Sequence, residues 1–486
     1  MSHYIGNRGY TILKNILTDE EETKIKTELY VKPYVPKLTN QQVKPFPIYR
    51  ESGTKYYLPK FYGIQNFQNN VENKLTNFET CNPKLEFKGQ LRPYQDNIVS
   101  KYISTIQKET KGGLLEIDTG MGKTVMALNI LCKLNVKTII IVHKEFLMNQ
   151  WIERIEEFIP DARVGKIQGK ILDIENKDIV LAMLQTLCIK DYSPTMFQCF
   201  GLTIIDEVHH MGAEVFSQAL GKVVTYYTLG LSATMDRKDG LSKIFKMYLG
   251  DVVHKEKRDT TSMNVLVNVI DYENDTPEYN KVKLDMRGNV QYSSMITTLC
   301  SFQPRSDFIV SLIHVLLKTK TNEQIMVLAH NKNLLTYIHD ALKENEISVG
   351  YYVGGMKEAD LKISETKKVV IATYSMASEG LDIKTLTTLI LATPKTDVVQ
   401  SVGRILRQKH DQPLVVDIVD SHDVFKNQFL KRRRFYNKQN YTIKRANHQD
   451  ALLDKYETFL DKRMTAKKKK EICMNSDSLS GGKCLI

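Results

Sequence analysis

The sequence predicts an α/β protein of two tandem lobes, each a parallel, doubly wound sheet, preceded by a small accessory domain of mainly β character. Three observations carry this reading. Five apolar strands alternate with helical segments at 114–117, 138–142, 178–183, 202–206 and 228–231. The alternation restarts at 325–329, 349–353, 368–372, 387–392 and 414–418. Short apolar runs separated by helix-length segments are the pattern of a parallel sheet covered on both faces. Residues 1–88 lack that pattern and are rich in Pro, Tyr and Phe instead.

The bounds of the chain fit several domains. It has 486 residues with 42% hydrophobic content. No apolar run is long enough for a membrane span, and no signal peptide is expected at its start. The seven Cys make no CxxC pair, so neither a zinc site nor a disulfide framework is expected. A reducing, intracellular setting fits. The net charge of +12 is unevenly placed, with +4 in residues 1–90, −1 in 91–430 and +9 in 431–486. A basic end on a neutral body points to a polyanionic partner, or else to a solubilising tail.

Taken in order, residues 1–88 open with a short charged helix over Thr18–Glu28. The following stretch, from Pro33 to Tyr62, reads as extended strands and turns. Its aromatics are expected mainly in a core, although they are also suited to stacking on bases. The first lobe is assigned to 89–252. Its stretch Leu114–Leu128, LLEIDTGMGKTVMAL, reads as strand, tight loop and helix. Gly120 and Gly122 let Asp118, Thr119, Gly120, Met121 and Gly122 turn backbone N–H groups toward one anion. Lys123 can then reach the β/γ-phosphates of a nucleotide, and Thr124 can hold Mg²⁺. The general phosphate-loop pattern has Gly where this chain has Ile117.

In the helix after the second strand, Leu147, Trp151, Ile155 and Phe158 share one face, which makes Trp151 a core residue. The fourth strand ends in Asp206-Glu207-Val208-His209. An acidic pair at that edge suits nucleotide hydrolysis, with Asp206 on Mg²⁺ and Glu207 polarising the attacking water. The fifth strand ends in Ser232-Ala233-Thr234.

Residues 253–300 read as a connector with a strand at 265–270, and 301–445 as the second lobe. That lobe has no phosphate loop. Its run Gln400-Ser401-Val402-Gly403-Arg404-Ile405-Leu406-Arg407 puts two Arg three apart on one helix face, the arrangement of arginine fingers. Residues 446–486 read as a basic, partly disordered tail.

These blocks, in this order, resemble the superfamily-2 helicases. Leu91-Arg92-Pro93-Tyr94-Gln95 is similar to their Q motif, 117–124 to motif I, Asp206–His209 to motif II, and Ser232–Thr234 to motif III. Ala377-Ser378-Glu379-Gly380-Leu381-Asp382 is similar to motif V, and Gln400–Arg407 to motif VI. LRPYQ, the DEVH box, LSATMDRKDGL and FKNQFLKRRRFY bring the chain nearest the XPB and UvsW branch of DExH-box helicases. The N-terminal stretch VKPYVP through FPIYRESGTKYYLPKFYG resembles helicases of large DNA viruses, of the poxvirus transcript-release type.

The resemblance implies two RecA-like lobes with ATP and Mg²⁺ between them. Arg92 and Gln95 would recognise adenine. Gly380 and Asp382 would contact nucleotide, and Gln400, Arg404 and Arg407 would complete catalysis. His209, Ser232, Ala233 and Thr234 would couple hydrolysis to movement. It implies an ATP-dependent DNA helicase or translocase moving 3′ to 5′, in transcription or repair. Its partners would be DNA and possibly transcription machinery, with no membrane, and a monomer suffices. A viral member would act in the virion or at the host-cell site of viral replication. An RNA helicase and a nucleic-acid scaffold with an inactive ATPase site are the alternatives.

Overall fold

The computed structural model describes residues 2–33, 44–67, 71–193, 195–208, 213–235, 241–257, 264–286, 288–320, 323–379, 383–406, 408 and 410–459. The chain forms two compact units, Met1–Arg258 and Asp259–Ile486.

The first unit is built on an eight-stranded sheet. Across it the strands run Ile171–Asp173, Val164–Gln168, Ile179–Met183, Thr138–Val142, Leu202–Ile205, Tyr227–Ser232, Gly112–Ile117 and Val252–Glu256. All neighbours are parallel except the pair Val164–Gln168 and Ile171–Asp173. Five of the six inner strands are those legible as apolar runs, the exception being Val164–Gln168. Thr138–Val142 shows why: Ile139 and Ile141 enter one core, while Ile140 and Val142 enter the other. A strand buried on both faces cannot alternate with polar residues.

The outer strands were not legible. Ile171–Asp173 is exposed throughout, and Val252–Glu256 carries His254, Lys255 and Glu256. Edge strands keep polar residues because solvent covers one side.

The N-terminal residues add a five-stranded sheet, ordered Arg50–Glu51, Lys55–Leu58, Gly9–Leu13, His3–Gly6 and Glu72–Asn73. They also add two helices, Asp19–Glu28 and Lys60–Asn66. The first begins with a reciprocal cap: Glu21 N–H donates to Thr18 Oγ1 at 3.2 Å, and Thr18 N–H donates to Glu21 Oε2 at 3.0 Å. The aromatics do form core. Tyr10, Tyr56 and Tyr62 are buried in the same cluster as Phe216 and Phe245 of the large sheet's layer. The N-terminal segment is therefore joined to the sheet by shared apolar burial.

The second unit repeats the plan. Its strands run Val349–Tyr352, Val369–Thr373, Gln324–Ala329, Leu386–Leu391, Leu414–Asp420, Leu266–Tyr272, Thr442–Asn447 and Glu457–Thr458. Only the last pair is antiparallel.

Here the reading of 253–300 as a connector is corrected. Leu266–Tyr272 pairs with strands on both sides, and the helix Tyr292–Ser301 puts Met295, Ile296 and Leu299 into the second core. The start of the expected tail is likewise ordered, with a helix at His448–Leu452 and a strand at Glu457–Thr458. Residues from 460 onward lie outside the described ones.

Two buried ion pairs brace this unit. Arg305 meets Asp420 at 2.6 and 2.9 Å, and Arg432 donates from Nε and Nη2 to Asp417, each at 2.8 Å. Arg432 belongs to the basic run 431–434 on the helix Asp423–Lys438. One of that run's four charges is thus committed to the core, because a buried cation needs a bidentate partner.

Candidate active site

The site begins where the strand Gly112–Ile117 stops. Ile117 is its last residue and is fully buried, so this position serves the core rather than the turn. The turn is made by Gly120 and Gly122, at φ +78° and +83°. Both lie in the left-handed region that a side chain disfavours. Gly122 caps the helix Lys123–Leu134, so Lys123 and Thr124 stand in its first turn. That is where free N–H groups and the helix dipole favour an anion.

Neighbouring elements fix the loop. The Asp118 N–H donates to the Glu256 carbonyl at 3.1 Å, which ties the loop to the outer strand. The Met121 carbonyl accepts from Tyr94 Oη and from Gln95 Nε2, each at 3.0 Å. Gln95 Oε1 in turn accepts from the Arg92 N–H at 2.9 Å. Gln95 is buried and Arg92 is exposed. A Cβ on Gly122 would lie 2.4 Å from Gln95 Nε2. Gln95 thus buttresses the glycine loop, using both ends of its amide.

The strand Leu202–Ile205 delivers the acidic pair. Asp206 is buried, and its N–H donates to the Ile141 carbonyl at 3.3 Å. Its carboxylate accepts from two sides, the Trp151 indole N–H at 2.9 Å and the Glu207 N–H at 2.9 Å. Glu207 sits at φ +49°, a left-handed conformation that costs of order 1–3 kcal/mol for a residue with a side chain. The turn swings its carboxylate back over the loop, where Oε1 meets Lys123 Nζ at 3.2 Å. Burial first, and the Glu207 charge second, raise the Asp206 carboxyl above the usual range, against the pull of Lys123 and the Trp151 hydrogen bond.

Between these two strands runs Tyr227–Ser232. Its end closes on itself: Ser232 Oγ donates to the Thr234 carbonyl, and the Thr234 N–H donates back to Ser232 Oγ at 3.3 Å. Ser232 is buried, while Ala233 and Thr234 are half-buried.

The first unit therefore brings together Lys123, Thr124, Asp206 and Glu207 at the carboxyl ends of parallel strands, the customary ligand edge of such sheets. A glycine cradle that a Cβ would fill, beside a buried carboxylate and a lysine, fits a nucleotide phosphate chain with a divalent cation. Thr124 and Asp206 are the residues suited to hold the cation.

In the second unit, Gln400 is half-buried and Arg404 buried on the helix Val399–Arg404, which ends at Arg404. His209, Gly380, Asp382 and Arg407 lie outside the described residues.

The sequence reading missed Trp151 as part of the site. It took the helical spacing as core, and the residue is core, but its N–H is also spent on Asp206. Buried indoles find a hydrogen-bond partner, and that rule was the available signal.

The chain is similar to known proteins over most of its length. Residues 88–237 match the model of the type III restriction enzyme res subunit, and residues 307–409 match the helicase conserved C-terminal domain. The chain is 38% identical over 468 residues to "Putative ATP-dependent RNA helicase L396" of Acanthamoeba polyphaga mimivirus, covering 93% of this chain and 89% of that one. It is 29% identical over 388 residues to "Putative ATP-dependent RNA helicase QP509L" of African swine fever virus, covering 74% and 75%. Among solved structures, Saccharomyces cerevisiae Dbp5 bound to RNA and ADP BeF3 matches with a TM-score of 0.53 at 13% identity, covering 73% and 90%. That last likeness is one of fold.

Proposed function

The chain belongs to the superfamily-2 helicases, and from that premise we propose that it couples ATP hydrolysis to 3′-to-5′ movement along DNA. Family membership makes it an ATP-hydrolysing helicase that acts on nucleic acid, with viral helicases among its relatives. The proposal adds the residues, the cation, the direction and the substrate.

One observation carries the chemical part: Asp206 and Glu207 stand beside Lys123 at a single strand edge. In this reading Lys123 and the loop N–H groups bind the phosphates. Thr124 and Asp206 hold Mg²⁺, which when bound neutralises charge on the phosphate oxygens. Trp151 fixes the Asp206 carboxylate, and Glu207 orients the attacking water. Arg92 and Gln95 line the base side, with Gln95 bracing the loop. Arg404, with Gln400, Arg407, Gly380 and Asp382, supplies the second unit's share of the site. His209 and Ser232–Thr234 transmit the outcome of hydrolysis to the nucleic-acid contacts.

DNA is favoured by the similarity of LRPYQ, LSATMDRKDGL and FKNQFLKRRRFY to the XPB and UvsW branch. RNA is the second reading, supported by the printed names of the viral relatives. ATPase activity of the full chain with single-stranded, duplex and forked DNA and with RNA tests the proposal. Stimulation by DNA above RNA is expected. Stimulation by RNA alone would replace DNA with RNA as the track.

A further inference from the structure

A second cation-lined hollow lies within the first unit, away from the site above. It is a cavity of about 90 Å³ where the N-terminal strands Arg50–Glu51 and Lys55–Leu58 meet the helix Ala213–Lys222. Thr203 and Thr228 reach its wall. Each is the second residue of its strand, at the amino end. The phosphate loop and the acidic pair follow the carboxyl ends of the same sheet. The two sites are therefore at opposite edges.

Three basic side chains line the cavity: Arg8, Arg50 and Lys60. Their partners are neutral. Arg50 donates a guanidinium N–H to the Gly221 carbonyl. Lys60 Nζ donates to the Tyr226 carbonyl at 2.6 Å and the Thr225 carbonyl at 3.3 Å. The Arg8 guanidinium lies 5.1 Å from the centre of the Tyr57 ring. No carboxylate is among the lining residues, and among the described residues no ion pair involves any of the three. Arg8 is close enough to Arg50 to disfavour its charge, and Lys60 is almost wholly buried. Arg8 and Arg50 are exposed, and like charges gathered this close repel one another unless an anion joins them.

We propose that this cavity binds a phosphate group. Its size admits a tetrahedral oxyanion of five heavy atoms. Two guanidinium groups offer paired N–H donors that match phosphate oxygens, and Lys60 adds an amine N–H donor from the cavity wall. The group is either free orthophosphate or the terminal phosphate of a nucleic-acid strand. Bound there, it joins the N-terminal sheet (Arg8 and Arg50) to the large sheet through one shared counter-charge.

The test is calorimetric titration of the full chain with sodium phosphate. It uses Lys123→Ala as background, so that the phosphate loop adds nothing. One phosphate per chain is expected. Adding Arg8→Gln or Arg50→Gln should each weaken it about tenfold or more, in proteins whose melting in phosphate-free buffer is unchanged. If Arg50→Gln fails to fold, Arg8→Gln decides, since Arg8 sits on the short turn between His3–Gly6 and Gly9–Leu13. A second arm adds an oligonucleotide with a 5′-phosphate or a 5′-hydroxyl. Displacement of free phosphate by the first alone assigns the strand end as the source, and displacement by neither assigns free orthophosphate. No phosphate binding in the Lys123→Ala background, or binding unaltered by the decisive Arg substitution, overturns the proposal.

Discussion

Lys123 Nζ and Glu207 Oε1 lie 3.2 Å apart, each held by a backbone conformation on a different strand-end turn. The pair spans the end of Tyr227–Ser232, the strand between theirs. Lys123 is 9% exposed and Glu207 19%, so the contact is little screened. In the proposed site an incoming phosphate chain would share or replace this carboxylate as partner of the lysine. In the proposed mechanism that exchange would release Glu207 toward the attacking water.

Lys123→Ala should abolish turnover while leaving the fold intact. In the proposed site the lysine is the cation fixed to the phosphate-binding loop, and its loss removes charge stabilisation worth a factor of about 10² to 10³ or more. Phosphate release and circular dichroism measure the two halves. Wild-type turnover would overturn the site assignment.

Glu207→Gln should bind ATP at least as well as the wild type and hydrolyse it about 10²- to 10⁴-fold more slowly. The amide keeps the shape of the side chain, yet it frees Lys123 from its ionic partner and removes the carboxylate. Binding is read by calorimetry and hydrolysis in single turnover. Unchanged hydrolysis would place the base elsewhere.

Trp151→Phe should lower turnover about tenfold and raise the Mg²⁺ concentration needed for half-maximal rate. Phe keeps an aromatic ring, smaller than the indole, but Asp206 Oδ2 loses its 2.9 Å donor. Leaving a buried carboxylate without that donor costs on the order of 1–3 kcal/mol. A Mg²⁺ titration of ATPase rate checks this. A loss of melting temperature with an unaltered Mg²⁺ requirement would make the bond purely structural.

Arg404→Ala should lower turnover much more than ATP affinity. A guanidinium acting on charge that develops in the transition state contributes a factor of about 10³ or more. The side chain is buried in its own unit, so a melting curve must accompany the kinetics. Weaker ATP binding with normal turnover would remove it from the catalytic set.

Lys60 gives a pH signature. Burial first and the Lys111 charge second push its ammonium down to about 7 from an ordinary 10.5. Between those pH values the unfolded chain holds the proton and the folded chain does not. This group therefore makes stability rise as pH increases from 7 toward 10.5, and the contribution is lost as pH falls to 7. Lys60→Met should flatten that slope in melting temperature against pH. Parallel slopes would show that the burial has no titrating consequence.

Much of this was legible in the sequence because the central strands are apolar on both faces. Ile139 to Val142 can be read as a strand without a structure. What escaped has a physical cause. Val252–Glu256 is a strand although it contains His254, Lys255 and Glu256, because it lies at a sheet edge and pairs through its backbone. Gln95 belongs to a motif legible in the sequence, but its grip on the Met121 carbonyl depends on how the helix Pro93–Thr105 packs beside the loop. The Arg432–Asp417 pair hides inside a run that composition can only describe as basic.

The chain contains a single tryptophan. It is Trp151, 1% exposed and hydrogen-bonded to the carboxylate proposed to hold the cation. Its emission is therefore a native optical reporter of that carboxylate's surroundings. No label or second fluorophore is needed to follow, on the millisecond scale, the arrival of Mg²⁺ and nucleotide and the departure of product.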